Sequence, residues 1–224
     1  MGRPDEAKRK EYFNAVITEW NAFQNKGNHG FYTGGFEQLF RGYSEGILNS
    51  KESLWEIAFN PTGDKYKDNA GTWATYNGPL VEAPGKNAPA DAWGRANAFF
   101  RVLPAWKNFF EEGDERRDVM VCTYQYKWNA STAKHDKVEN EKLTDWYPGK
   151  WRREWMPGGF VDPNNTGVNY CPLRFADVVL MAAEAYNETG NTPEAWNLLN
   201  MVRERAKATP ITDCLLYTSD AADD

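Results

Sequence analysis

Between residues 174 and 206 the chain reads RFADVVLMAAEAYNETGNTPEAWNLLNMVRERA, and its apolar positions keep a helical period on both sides of one glycine. Phe175, Val178, Val179, Ala182 and Tyr186 fall on one stripe, while Asp177, Glu184 and Glu188 lie off it. Ala195, Leu198, Leu199, Val202 and Ala206 repeat the pattern. Gly190 supplies the stop. Thr192 can cap the next helix, and Pro193 with Glu194 suits its first turn. A connection this short returns the second helix antiparallel to the first, so the segment predicts an αα-hairpin whose two stripes face a shared core.

The rest of the chain is read against that anchor. Residues 5–26 carry Phe13, Val16, Ile17, Trp20 and Phe23 at steps of three and four, which predicts an amphipathic helix. FEQLF (36–40) has room for one or two helical turns after the glycines at 27, 30, 34 and 35. ESLWEIAF (52–59) alternates and predicts a short strand or extended core segment, closed by Asn60-Pro61. Residues 62–97 are rich in Gly, Pro, Asn and Ala with little periodicity, and read as a long functional loop holding Trp73, Tyr76 and Trp93. Pro104 suits a first helical position, so AWKNFFEE (105–112) predicts a short helix stopped by Gly113, with a charged turn over 114–117. VMVCTYQYK (119–127) predicts a second strand, and residues 128–169 read as polar and loop-like around Trp146, Trp151 and Trp155. Trp20, Trp55, Trp106 and Trp196 sit in periodic elements and are assigned to core or helix contacts.

Charge and composition narrow the partners. A net charge of −6 argues against a nucleic-acid backbone, which needs a basic face. No stretch approaches the roughly 20 apolar residues of a membrane-spanning helix, and MGRPDEAKRK lacks the apolar centre of a signal peptide. Cys122, Cys171 and Cys214 show neither metal-type spacing nor a disulfide framework, and no cofactor or metal is expected. His29 and His135 share no spacing with a Ser, Cys or carboxylate that would make a triad or zinc site.

The hairpin resembles the paired helices of the SusD/RagB family, whose usual wording runs R-Y-A-D-V-L-L-M-Y-A-E-A, then N-E-x-G, E-A and L-N-x-V-R-x-R-A. Arg174, Asp177, Glu184, Gly190, Asn200 and Arg203 fall in register with it and are expected to form the structural motif of the hairpin. FEQLF followed by SKESLWEIAF, and FFEEGDERRDVMVCTY, are similar to further family stretches in the same order. The resemblance implies a mainly α fold of tetratricopeptide-like helical hairpins with long loops and a few short strands. It also implies an internal, C-terminal-half portion of a longer protein, since the family's lipobox cysteine and the stretches beyond the hairpin have no counterpart. Residues 1–213 are expected to form one domain. CLLYTSDAADD (214–224) has no place in the family and resembles a translated sequencing-adapter tail, so it is set aside.

The family's function, by the same resemblance, is non-catalytic capture of oligosaccharide or polysaccharide at the outer-membrane surface. The whole protein would be a lipid-anchored lipoprotein that passes its ligand to a SusC-type TonB-dependent transporter. Sugar recognition needs flat aromatic faces for the C–H side of pyranose rings and amides or charged groups for the hydroxyls. Trp73, Tyr76 and Trp93, lying off any helical stripe, are the glycan-binding candidates. Trp146, Trp151 and Trp155 are weaker ones, because the neighbouring Lys150, Arg152 and Arg153 explain them equally well through packing and cation–π contacts. Two alternatives stand beside capture: an α-helical carbohydrate-active enzyme, which needs two carboxylates opposed across a cleft, and a tetratricopeptide-type protein-interaction scaffold.

Overall fold

The computed structural model describes residues 5–59, 71–90, 92–156 and 166–212. Where the sequence reads as one domain, the chain groups into two compact units. The first gathers the chain up to Phe31, Ser50–Leu54 and the chain from Leu173 onward; the second takes Tyr32–Asn49 and Trp55–Pro172. Residues 214–224 lie outside the described residues.

The first unit is a three-helix assembly: α1 (Glu6–Lys26), α6 (Phe175–Glu188) and α7 (Thr192–Arg205). Asp5 caps α1 by accepting from the Lys8 amide at 2.9 Å, and Gly27, in the left-handed region at φ 63°, ends it. The hairpin stripes meet as their spacing requires. Phe175, Val179, Ala182 and Ala183 from α6 close on Leu198 and Val202 from α7 and on Trp20 from α1. One capping detail differs from the expectation. Asn191, not Thr192, is the cap of α7, its side chain accepting from the Glu194 amide, and Thr192 and Pro193 are the first two helical residues. The cap moves one residue back because Gly190, at φ 90°, completes the reversal early.

Motif residues tie the start of α6 and the exit from α7. Arg174 is the cap of α6, and Asp177 Oδ2 accepts from its backbone amide at 2.9 Å. Glu52, fully buried, receives Arg174 at 3.1 Å and Arg205 at 2.9 Å. Beyond α7, Asn200 both accepts from the Ile211 amide and donates to its carbonyl, and Arg203 Nε donates to the Thr209 carbonyl. Glu184 faces solvent on α6.

In the second unit α2 (Phe36–Glu45) is twice the length that FEQLF alone implied, running on to a left-handed Gly46. Its apolar face, Phe36, Leu39, Phe40 and Tyr43, forms the centre of the unit's core with Ala74, Val119, Trp151, Trp155, Met156 and Val168. The strand expected at 52–59 is β1 (Ser53–Ile57), which pairs with β6 (Tyr170–Arg174); only Trp55–Ile57 and Tyr170–Pro172 of these belong to the second unit. Its facing differs from a hydrophobic assignment. Trp55 is 61% exposed, while Glu56 turns inward, accepting from Asn169 Nδ2 at 2.8 Å. Trp106, on α4 (Pro104–Asn108), is also exposed, so neither Trp is a core residue.

The stretch 113–127 is the largest correction. What reads as a charged turn is α5 (Glu115–Met120), capped by a buried Asp114 that accepts from the Arg116 amide and holds its guanidinium at 2.7 Å. A buried capping carboxylate starts a helix that composition alone does not show. The strand therefore begins later, as β2 (Val121–Cys122), paired with β5 (Tyr147–Pro148), followed by β3 (Tyr124–Asn129). β3 forms an antiparallel hairpin with β4 (Lys134–Glu139), an element absent from the sequence reading.

Cys122 is buried on β2, and burial pushes its thiol up to about 11. A thiol raised this far stays protonated at pH 8 and is a poor nucleophile. With iodoacetamide at pH 8, peptide mapping should find Cys122 unmodified while half-buried Cys171 reacts; prompt labelling of Cys122 in folded protein would contradict this packing.

Candidate glycan-binding site

The sequence grouped Trp73, Tyr76 and Trp93 in one loop, but the fold distributes them between two recesses of the second unit. Trp73 and Tyr76 belong to a single helical turn and a half, α3 (Trp73–Asn77), where no helix was expected. Five residues are too few for a periodicity signal. What holds the helix is its packing: its own Ala74 and Thr75 are buried, and Gly78 ends it against the Trp151 backbone.

The first recess is a cleft of about 730 Å³ lined by Phe59, Gly71, Thr72, Trp73, Tyr76, Asn77, Phe99 and Phe100. Its rings differ in availability. Trp73 packs against Trp151 and Tyr170, at centroid distances of 6.0 and 4.4 Å, and its indole N–H is buried without a partner among the described residues. Trp73 is thus a wall anchored in the core. Tyr76 is half-buried, and Phe99 and Phe100 are exposed. These two phenylalanines were missed, because nothing in ANAFFR distinguishes them from a strand or a core edge.

The second recess, about 270 Å³, holds Trp93 with Pro89, Ala92, Trp128, Ala133, Lys134 and His135. His135 stacks on Trp93 at 5.6 Å and 15° and meets Trp128 edge-on at 5.0 Å. Its Nε2 lies 2.8 Å from the Glu82 carbonyl, so in the neutral ring Nε2 carries the proton and Nδ1 is an acceptor. The β3–β4 hairpin docks on 80–82 through backbone bonds between Tyr126 and both Leu80 and Glu82. That frame holds Trp128 opposite Trp93, a placement that a strand pair 30 residues away hides from local sequence.

The weaker candidates separate too. Trp151 and Trp155 are core residues: Trp151 meets Phe40 edge-on at 5.5 Å, and Trp155 lies under the guanidinium groups of Arg41 and Arg152. Trp146 is half-buried under Lys107 and lines neither recess.

One buried polar cluster lies nearby. Arg152 donates to the Tyr124 hydroxyl, to the Gly149 carbonyl at 2.8 Å and to the Asp118 carbonyl, and Tyr124 donates to Glu154 at 2.6 Å. Burial raises the Glu154 carboxyl and the Tyr124 phenol above their ordinary ranges. Glu154 lines neither recess, and among the described residues no Asp or Glu lines either of them. A glycosidase pair needs two carboxyl groups facing each other across bound sugar.

Solved structures share the overall fold. A SusD homolog from Bacteroides thetaiotaomicron is 25% identical with a TM-score of 0.74, over 97% of this chain and 44% of that one. A SusD superfamily protein from Parabacteroides distasonis aligns with a TM-score of 0.63 at 16% identity, over 92% of this chain and 41% of its own. Surface glycan-binding protein A from Bacteroides thetaiotaomicron, in complex with laminarihexaose, gives 0.62 at 16% identity, over 92% of this chain and 46% of its own. The chain thus spans less than half the length of these structures. No curated protein matches. The SusD family model matches residues 51–220, which take in Glu52 and the strand that follows it, both aromatic recesses and the final helix pair, and the chain belongs to the SusD family.

Proposed function

We propose that this chain is part of a protein that captures oligosaccharide or polysaccharide without turning it over. The observation that carries the reading is the cleft whose lining combines Trp73, Tyr76, Phe99 and Phe100 with the polar Thr72 and Asn77. Stacked rings with amide and hydroxyl groups at their edges match the two surfaces of a pyranose, an apolar C–H face and a hydroxylated rim. Trp93, with Lys134 and His135 beside it, offers a second aromatic surface for sugar. The glycan-binding relatives favour this role over that of a protein-interaction scaffold.

In the whole protein, capture takes place at the outer-membrane surface from a lipid anchor, and the ligand passes to a SusC-type TonB-dependent transporter. These parts of the reading rest on family membership. Among the described residues, no helix is long and apolar enough to cross a membrane.

Titration calorimetry against a panel of polysaccharides tests the capture reading directly. Tyr76→Ala should weaken the best ligand by about tenfold or more, the equivalent of about 1.4 kcal/mol, with circular dichroism unchanged. Binding to no member of the panel by a folded parent chain would sink the reading, and release of reducing sugar would replace it with an enzyme.

A further inference from the structure

Tyr76 and Phe99 lie face to face, with ring centroids 4.6 Å apart and planes 13° from parallel. Phe99 covers Tyr76 with one face and turns the other to solvent, remaining 65% exposed, with Phe100 beside it at 54%. Such a slab of apolar surface in water needs something to hold it there, since its own driving force is toward burial.

The backbone provides that hold. Ala98, immediately before Phe99, is buried with φ +49°, a left-handed conformation that is strained for an alanine. The turn is fixed from both sides. The Asn97 and Ala98 amides both donate to the Thr75 carbonyl, at 2.7 and 3.3 Å, and the Phe99 amide donates to the Tyr76 carbonyl at 3.1 Å. Arg101 donates to the carbonyls of Ala98 and Phe100, with its guanidinium against the Tyr147 ring at 4.5 Å. Strain concentrated at a residue that presents an exposed ring points toward a task for that ring.

We infer that the outer face of Phe99 is the principal sugar-stacking surface of the cleft, backed by Tyr76 and positioned by the strained turn at Ala98. This rests on the glycan-binding reading and specifies its ligand: a run of neutral pyranose residues laid with their C–H faces on the slab. Among the described residues the lining of this cleft carries no cationic or carboxylate side chain, and Thr72 and Asn77 supply polar groups suited to hydroxyls.

The test uses the full chain and four neutral probes: maltohexaose, laminarihexaose, cellohexaose and xylohexaose. At least one should bind the parent. Phe99→Ala should weaken that probe by about tenfold, the size of a lost stacking contact, and Phe99→Trp should match or exceed the parent. Phe99 is too exposed for its truncation to threaten folding. Ala98→Gly relieves the strain, so it should keep or raise the melting midpoint while weakening the probe, an opposition that a purely structural residue does not produce. Parent-like affinity in Phe99→Ala overturns the assignment while the capture reading stands, and joint loss of stability and affinity in Ala98→Gly removes the positioning role. Failure of all four probes on folded parent, with a charged glycan binding instead, refutes the neutral-ligand claim; failure of every glycan takes the capture reading with it.

Discussion

Glu52→Ala should destabilise the chain by about 3–5 kcal/mol, the range for removing one partner of a buried charge pair. Glu52 is fully buried and meets two guanidinium groups, Arg174 at 3.1 Å and Arg205 at 2.9 Å, themselves only 15% and 7% exposed. Truncation leaves two cations close together where little water reaches; Arg174 keeps Asp177 at 3.6 Å, but both guanidinium groups lose their shared buried counter-charge. Against a total stability of about 5–15 kcal/mol, that loss is decisive. For a chain of this size the thermal midpoint should fall by about 10 °C. Glu52→Gln keeps the shape and one acceptor but returns no charge, so it should recover less than half of the loss. Urea unfolding of the three proteins reads this directly, and a Glu52→Ala midpoint within experimental error of the parent would show that the triad contributes nothing. The cleft lies wholly in the other unit, so oligosaccharide affinity measured well below the melting midpoint should persist in this variant.

The same triad explains why the family wording is legible where it is. Glu52 comes from the ESLWEIAF stretch, Arg174 and Asp177 from RFAD, and Arg205 from the end of LNMVRERA; three separated motifs converge on one buried cluster. The helix pair was readable because its information is local: a 3.6-residue stripe, a stop at Gly190 and a proline in the first turn. The β3–β4 hairpin was only half readable: YQYKWN alternates aromatic with polar residues and its first four fall in the strand expected over 119–127, whereas KHDKVE is polar on both faces and no alternation marks a buried side. α5 hid because only Val119 of its six residues is buried. Periodicity gave the phase of Trp55 and Trp106 but not whether anything covers that face. The candidate site was half legible for the same reason. Gly- and Asn-rich sequence located Tyr76 and Trp93, whereas their partners, Phe99 and Trp128, arrive through backbone pairings that bring together distant residues.

Gly78→Ala should be the most damaging single methyl in the second unit. Its φ of −103° is open to any residue, so the effect is one of space alone. A Cβ there would stand 2.0 Å from the Trp151 carbonyl oxygen and 2.9 Å from that of Ala74, and both are backbone atoms that no side-chain rotation can move aside. The Trp151 backbone has little freedom to retreat. Its ring is wedged among Phe40, Tyr43 and Trp73, and the next residue, Arg152, is pinned to the carbonyls of Gly149 and Asp118. The movable side is α3, the short helix that carries Trp73 and Tyr76 into the cleft. Overpacking of this kind costs about 1–3 kcal/mol, and more where backbone must shift; about 3–4 kcal/mol is expected here. Displacing α3 also parts Tyr76 from Phe99, so Gly78→Ala should lose oligosaccharide affinity even at temperatures where it remains folded. Glu52→Ala should lose stability alone, so measuring both properties on both variants separates damage to the scaffold from damage to the cleft. Full affinity in a folded Gly78→Ala protein would mean that the placement of α3 does not matter to the ligand.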